Sequence, residues 1–160
     1  ILPGIIEPIR RHTYVVKQPL LEYPLFKHVM RSRDPVAVGQ VDPREDLKTM
    51  LEQGTVRLQK GVSMVVFPQS RRDPEFHPER FNSIAIKLAR RANVPIVPLA
   101  VDTSAWRLGR IIMDFGKIDP TRKVRIAFGE PLQIVGRGGE QQAALLEFIG
   151  GKLGEWANRQ

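Results

Sequence analysis

Four bulky apolar residues in succession, Met64, Val65, Val66 and Phe67, run straight into Pro68. A run without polar alternation suits a strand covered on both faces, the condition of a parallel sheet in an α/β layer structure. Proline cannot donate to a ladder, so the strand ends there. Gln69, Ser70, Arg71 and Arg72 follow at once. They stand at the mouth of the sheet, where open α/β folds place their ligands. Two arginines at that edge suit an anionic group, above all a phosphate. A solvated basic loop is the plainer reading of the same residues.

The rest of the chain fits this class. Residues 13–16 are β-branched and aromatic and read as a strand, and residues 36–38 as another. Residues 19–30 are apolar-rich and read as partly helical, bent or divided by Pro24. Asp42-Pro43-Arg44-Glu45 is a helix start: a capping aspartate, proline at the first position and glutamate three residues after the cap. Leu47, Met50, Leu51, Val56 and Leu58 give that helix an apolar face until Gly61 stops it, and residues 62–67 form the next strand. A polar loop at 68–80 leads to a helix at 81–92 with Ile84, Ile86, Leu88 and Ala89 inward. Residues 94–101 read as an edge or irregular strand because of Pro95 and Pro98. Residues 111–115 and 124–128 read as a strand pair, and 139–156 as a closing helix. The order predicts an α/β fold, a mixed, largely parallel sheet flanked by helices, in a single domain over residues 1–160.

Charge narrows the partners. Lys and Arg number 25 against 17 Asp and Glu, a formal net charge of +8. That excess favours nucleic acid, an anionic membrane surface or a phosphorylated substrate. Aromatic residues are only 7%, no stacking motif is present and the basic residues are spread along the chain, which argues against nucleic acid. The chain has no cysteine, which excludes disulfides, thiol catalysis and cysteine metal sites. Leu20, Leu21, Tyr23, Leu25 and Phe26 precede Lys27, Arg31 and Arg33, a mixture that suits a helix at a membrane interface or a core helix with a basic edge. Ile1-Leu2-Pro3-Gly4-Ile5-Ile6 reads as the interior of a longer chain, so an upstream part is expected.

Four segments follow one another in a telling order: Lys17-Gln18-Pro19-Leu20 with Pro24, Asp34-Pro35-Val36-Ala37-Val38-Gly39-Gln40, Phe67-Pro68-Gln69-Ser70-Arg71-Arg72, and Val94-Pro95-Ile96-Val97-Pro98. Together they resemble the motifs of the glycerolipid acyltransferases, above all the 1-acyl-glycerol-3-phosphate (lysophosphatidic acid) acyltransferases, over about residues 13–132. Departures are plain. Gln40 stands where the family usually has arginine. Gln69, Ser70 and Arg71 replace glutamate, glycine and threonine, while Phe67, Pro68 and Arg72 match. The family's first motif, histidine, four residues, then aspartate, is absent. At that offset His12 meets Lys17, His28 meets Arg33 and His77 meets Asn82, and His28 and Asp34 are one residue too far apart.

The resemblance implies transfer of an acyl group from a thioester, acyl-CoA or acyl carrier protein, to the hydroxyl of a lysophospholipid, with no cofactor and no metal. The general base, worth about 10²–10⁴ in rate, is expected upstream of Ile1. By match to the motifs, Lys17 and Arg72 would hold the acceptor's phosphate, and Gln69 and Ser70 could add uncharged hydrogen bonds. The implied setting is the cytoplasmic face of a membrane. Plainer readings stand beside these. Lys17 also reads as a solvated strand end, and Arg72 as a surface partner of Asp73 or Glu75. His28 and His77 read as surface or core histidines, and Trp106 and Trp156 as packing residues. Gln40, Gln69 and Ser70 motivate an alternative, a catalytically silent lipid- or phosphate-binding domain of the same fold.

Overall fold

The structure, a computed structural model, describes residues 2–22, 28, 31–39, 42–69, 73, 75–106 and 116–159. They fall into two compact units, Ile1–Pro68 with Ser83–Val94, and Gln69–Asn82 with Pro95–Gln160.

The first unit is built on a three-stranded parallel sheet. Helix α1 (Leu2–Ile6) leads into strand β1 (His12–Lys17), which lies between β2 (Val36–Val38) and β3 (Ser63–Val65). Both neighbours run parallel to β1, with Val15 opposite Val36, Lys17 opposite Val38, and Tyr14 opposite Val65. Parallel neighbours need a crossover, and helix α2 (Pro43–Gln59) supplies the one from β2 to β3.

That helix starts and stops where the sequence predicts. Asp42 Oδ1 accepts the Arg44 amide at 2.8 Å, and Pro43 takes the first turn, where no amide partner is needed. Asp46 Oδ1 accepts the Gly39 amide at 2.8 Å and ties the exit of β2 to the helix. Gly61 adopts φ 77°, a left-handed conformation that glycine takes without strain, and the chain turns into β3.

Helix α3 (Ile84–Ala92) packs on α2, and together they cover one face of the sheet. Val36, Met50 and Leu88 are fully enclosed, with Val15, Val38, Met64 and Val66 packed around them. A side chain such as Leu88 contributes about 1.5–3 kcal/mol by leaving water. Asn93 closes α3 at φ 55°, and the Val94 amide returns to the Ala89 carbonyl at 3.0 Å.

In the second unit β4 (Leu99–Asp102) pairs antiparallel with β5 (Arg125–Phe128), and helix α4 (Gly139–Ala157) packs on the pair. Ala100, Leu145 and Ile149 form its centre, with Phe76, Phe81, Phe148 and Trp156 around them. Arg125 Nη1 donates to the Trp156 carbonyl at 2.6 Å, placing a cation on the last turn of α4.

Two expectations need correction. The run at 64–67 is not covered on both faces. β3 ends at Val65 on the outside of the described three-stranded sheet, and Phe67 is 58% exposed. The helix expected from residue 81 begins at Ile84, because Phe81 stays extended and sets its ring edge-on to Phe76 at 5.2 Å. Residues 94–101 form the irregular strand expected from the prolines, entering the ladder from Leu99. Ile96 makes a single bridge to Leu132 between Pro95 and Pro98, which have no amide to give. Residues 111–115 lie outside the described residues, and the described partner of β5 is β4.

Gly54 marks the tightest contact of the first core. A Cβ there would meet Met64 Sδ at 2.9 Å and the Leu88 methyls at 3.0 and 3.2 Å. Gly54→Val is expected to lower stability by about 1–3 kcal/mol. The measurement is the urea midpoint at unchanged m-value.

Candidate phosphate site at the carboxyl rim

Because β1, β2 and β3 all run the same way, their carboxyl ends share one rim. Lys17 closes β1 directly opposite Val38, the last residue of β2. β3 leaves the ladder at Val65 and continues through Val66 and Phe67 to Pro68. Ligands of open α/β sheets bind outside such ends. The backbone thus places Lys17 at the rim that sequence analysis assigned to an anion. Gln69, half-buried, follows Pro68 as the first residue of the second unit. Ser70, Arg71, Arg72 and Gln40 lie outside the described residues, as does the side chain of Lys17.

Asp73, one of two carboxylates weighed as partners of Arg72, meets described residues on both oxygens. Its Oδ2 pairs with Arg80 Nη1 at 2.8 Å, and its Oδ1 accepts the Glu75 amide at 3.1 Å. His77 stands among acids, 3.1 Å from Glu79 and 3.7 Å from Glu75, on a half-buried surface. His28 is exposed. Trp156 packs in the second core, as expected, whereas Trp106 is 39% exposed. Of the segment read as an interfacial helix, residues 23–27 lie outside the described residues, and Arg33 is bound to the Glu7 carboxylate.

The opposite, amino end of the sheet holds a polar cavity of about 260 Å³ that sequence analysis did not anticipate. His12, at the entry of β1, is buried there with no exposed side-chain surface. Its Nε2 lies 2.9 Å from the Tyr14 hydroxyl. Its Nδ1 lies 2.9 Å from Glu7 Oε2, an ion-pair distance outside hydrogen-bond geometry. Burial pushes the Tyr14 phenol above its ordinary pKa, Arg33 pulls it back and Glu7 pushes it further up. The phenol therefore stays neutral and able to donate to Nε2.

Beside this pair, Asp34 adopts φ 46° just before Pro35, a conformation that aspartate tolerates better than most residues. Arg57 holds it there. Nε donates to the Asp34 carbonyl at 2.8 Å and Nη2 to its Oδ1 at 2.9 Å, while Thr13 Oγ1 donates to the same carbonyl at 3.0 Å. Both nitrogens of His12 face side chains of the fold. One signal could have revealed the pairing with Tyr14: histidine and tyrosine two apart on a strand, hence on one face. Among the described residues no group of three or more His, Asp or Glu side chains is placed to hold a metal ion.

These features define an α/β protein with a parallel sheet flanked by helices. A family model described as Acyltransferase matches residues 4–102, more than half of the chain, and the chain belongs to that family. It is similar to a 1-acyl-sn-glycerol-3-phosphate acyltransferase of Pseudomonas aeruginosa, 31% identical over 99 residues, which are 62% of this chain and 37% of that one. It is also similar to a probable 1-acyl-sn-glycerol-3-phosphate acyltransferase of Mycoplasma pneumoniae, 28% identical over 132 residues, 81% of this chain and 49% of the other. Among solved structures, the 1-acyl-sn-glycerophosphate (LPA) acyltransferase PlsC of Thermotoga maritima superposes with a TM-score of 0.67 at 20% identity, over 99% of this chain and 62% of that one, a likeness of fold. The chain spans 37% and 49% of the length of these two curated relatives.

The Arg57 clamp is open to test. The Asp34 carboxylate is 82% exposed, so the ion pair itself is worth little. The half-buried carbonyl of Pro35 and the main-chain turn carry the cost. Arg57→Ala is expected to lose about 1–3 kcal/mol of stability, measured by urea denaturation.

Proposed function

We propose that this chain belongs to an enzyme that moves a fatty acyl group from an acyl thioester to the hydroxyl of a lysophospholipid such as 1-acyl-glycerol-3-phosphate. The observation that carries the reading is the acyltransferase match across residues 4–102, which includes the three parallel strands and their common rim. The names of the relatives supply the acceptor class. In the reaction the acceptor oxygen bonds to the acyl carbon, the carbon–sulfur bond breaks, and the thiol of coenzyme A or acyl carrier protein leaves. The thioester is already activated, so no covalent enzyme intermediate is needed.

In this reading Lys17 and Arg72 grip the acceptor's phosphate, Lys as a point charge and Arg through its planar fork, and Gln69 and Ser70 add neutral hydrogen bonds. Gln69, where the family has glutamate, removes a negative charge beside Arg72 and strengthens its pull on phosphate. The sequence holds no histidine followed five positions later by aspartate. The reading therefore takes the general base from outside these 160 residues and places the enzyme at the cytoplasmic face of a membrane. No described helix is long and apolar enough to cross one. The glutamines at 40 and 69 favour a second reading, a silent lipid- or phosphate-binding domain of the same fold.

The natural-length protein is expected to acylate lysophosphatidic acid, and the 160 residues alone are not. Arg72→Ala and Lys17→Ala should each lower kcat/KM for the acceptor by about 10–100-fold, the worth of one charge-assisted hydrogen bond, mostly through KM. A folded natural-length protein that transfers from no thioester yet binds lysophosphatidic acid would establish the silent binder instead.

A further inference from the structure

The second unit carries an exposed patch that neither its core nor the phosphate rim accounts for. Trp106 and Ile118 face each other across an antiparallel bridge, 39% and 71% exposed. Val124, nearby in sequence, is 37% exposed. The platform beneath is anchored: Ala105 is buried, and its carbonyl accepts the Asp119 amide at 2.7 Å. The Trp106 amide bonds the Thr103 carbonyl at 2.8 Å.

Close to Ile118 in sequence are Lys117, Arg122 and Lys123, all exposed. Asp119 is the single acid of residues 116–124. Its Oδ1 accepts from Thr121 and its Oδ2 lies 3.8 Å from Arg122 Nε, so three cations share this segment with one acid.

We propose that the Trp106–Ile118 bridge with its flanking Lys117, Arg122 and Lys123 is the surface by which this chain seats on an anionic lipid bilayer. Tryptophan favours the membrane–water boundary because its ring is apolar and its N–H polar. Ile118 adds apolar area that can enter the acyl boundary, and the cations meet anionic headgroups. An acidic protein would satisfy the cations but would not by itself call for an isoleucine held 71% exposed at their centre. The inference deepens the membrane partner of the proposed function and rests on that reading for its purpose. It also moves the contact away from residues 20–33, where Arg33 is already spent on Glu7.

The chain has only two tryptophans, so each reports separately. In Trp156→Phe the remaining Trp106 emission should shift blue on phosphatidylcholine vesicles containing phosphatidylglycerol, and brominated lipid should quench it. In Trp106→Phe the emission of Trp156 should not move. Ile118→Asp, at a solvent-facing position that leaves the core intact, should abolish flotation with these vesicles. Replacing Lys117 and Lys123 by Ala should weaken partitioning at least tenfold, since each cation is worth about fivefold.

Flotation with unchanged Trp106 emission would overturn the proposal, because another face would then make the contact. Absence of flotation, or binding to acidic acyl carrier protein alone, would overturn it as well. None of these readouts needs acyl transfer. A protein that acylates micellar lysophospholipid but ignores vesicles sinks this inference alone. One that binds through Trp106 without acylating sinks only the enzymatic reading.

Discussion

β1 is hydrogen-bonded on both edges to strands running in its own direction, and the first unit follows from that. Neither neighbour can be reached by a tight turn, so the chain must travel back across a face of the sheet each time. The return from β2 to β3 is α2, and its bounds are set by side chains that the crossover requires. Asp42 caps its start and Asp46 fastens the end of β2 to it, while Gly61 permits the reversal into β3. Once α2 lies on the sheet, Met50 and the bare backbone at Gly54 receive Leu88 of α3. The same parallelism gives the sheet two chemically unlike ends.

At the amino end polar groups are many and mutually engaged. His12 is bracketed by Glu7 and Tyr14, Glu7 also takes Arg33, and Arg57 spends its donors on Asp34, Pro35 and Gln53. Burying a charge is costly unless it is paired, so a buried histidine next to a carboxylate is a structural solution before it is a catalytic one. The carboxyl end is where β1 stops at a lysine and β3 runs out toward glutamine and arginines. A general base must reach a substrate proton, which a histidine with both nitrogens facing its own fold does not do.

The parts of the fold legible in the sequence are those decided locally. The Asp42-Pro43 start, the Gly61 stop and the strands at 12–17 and 36–38 rest on conformational preferences of single residues or short runs. What escaped reading was decided at a distance. Phe81 has helix-compatible neighbours, but its ring is used against Phe76, so the backbone stays extended. The run at 64–67 is apolar enough for a central strand, but β3 ends at Val65 and Phe67, beyond it, is exposed. The pairing of β5 with β4 joins segments more than twenty residues apart, and no turn signal announces it. For the candidate site, the sequence showed which residue types follow the strands, and the register added that Lys17 and Val38 end side by side. The spacing of His12 and Tyr14 hints at a pair on one face, but the role of His12 also depends on Glu7, which in turn holds Arg33.

Net charge alone does not select a partner, and the pairing pattern shows why. The excess of +8 is a sum over the chain, yet at physiological salt a charge is felt over only about 8 Å. Many cations are already spoken for: Arg33 by Glu7, Arg57 by Asp34, Arg80 by Asp73, and Lys152 and Arg159 by Glu155. Glu155 shows the effect on itself, its carboxyl held below the ordinary range by the Lys152 hydrogen bond and by the charges of Lys152 and Arg159. Positive potential must therefore concentrate where basic residues outnumber nearby acids along the chain. Residues 69–72 do so with no acid at all, and residues 116–124 with one. The first stretch follows the strand that ends at Val65. The second includes the exposed Ile118, bridged to the exposed Trp106. The two stretches thus differ in what their cations stand beside, a strand end in one and exposed apolar side chains in the other.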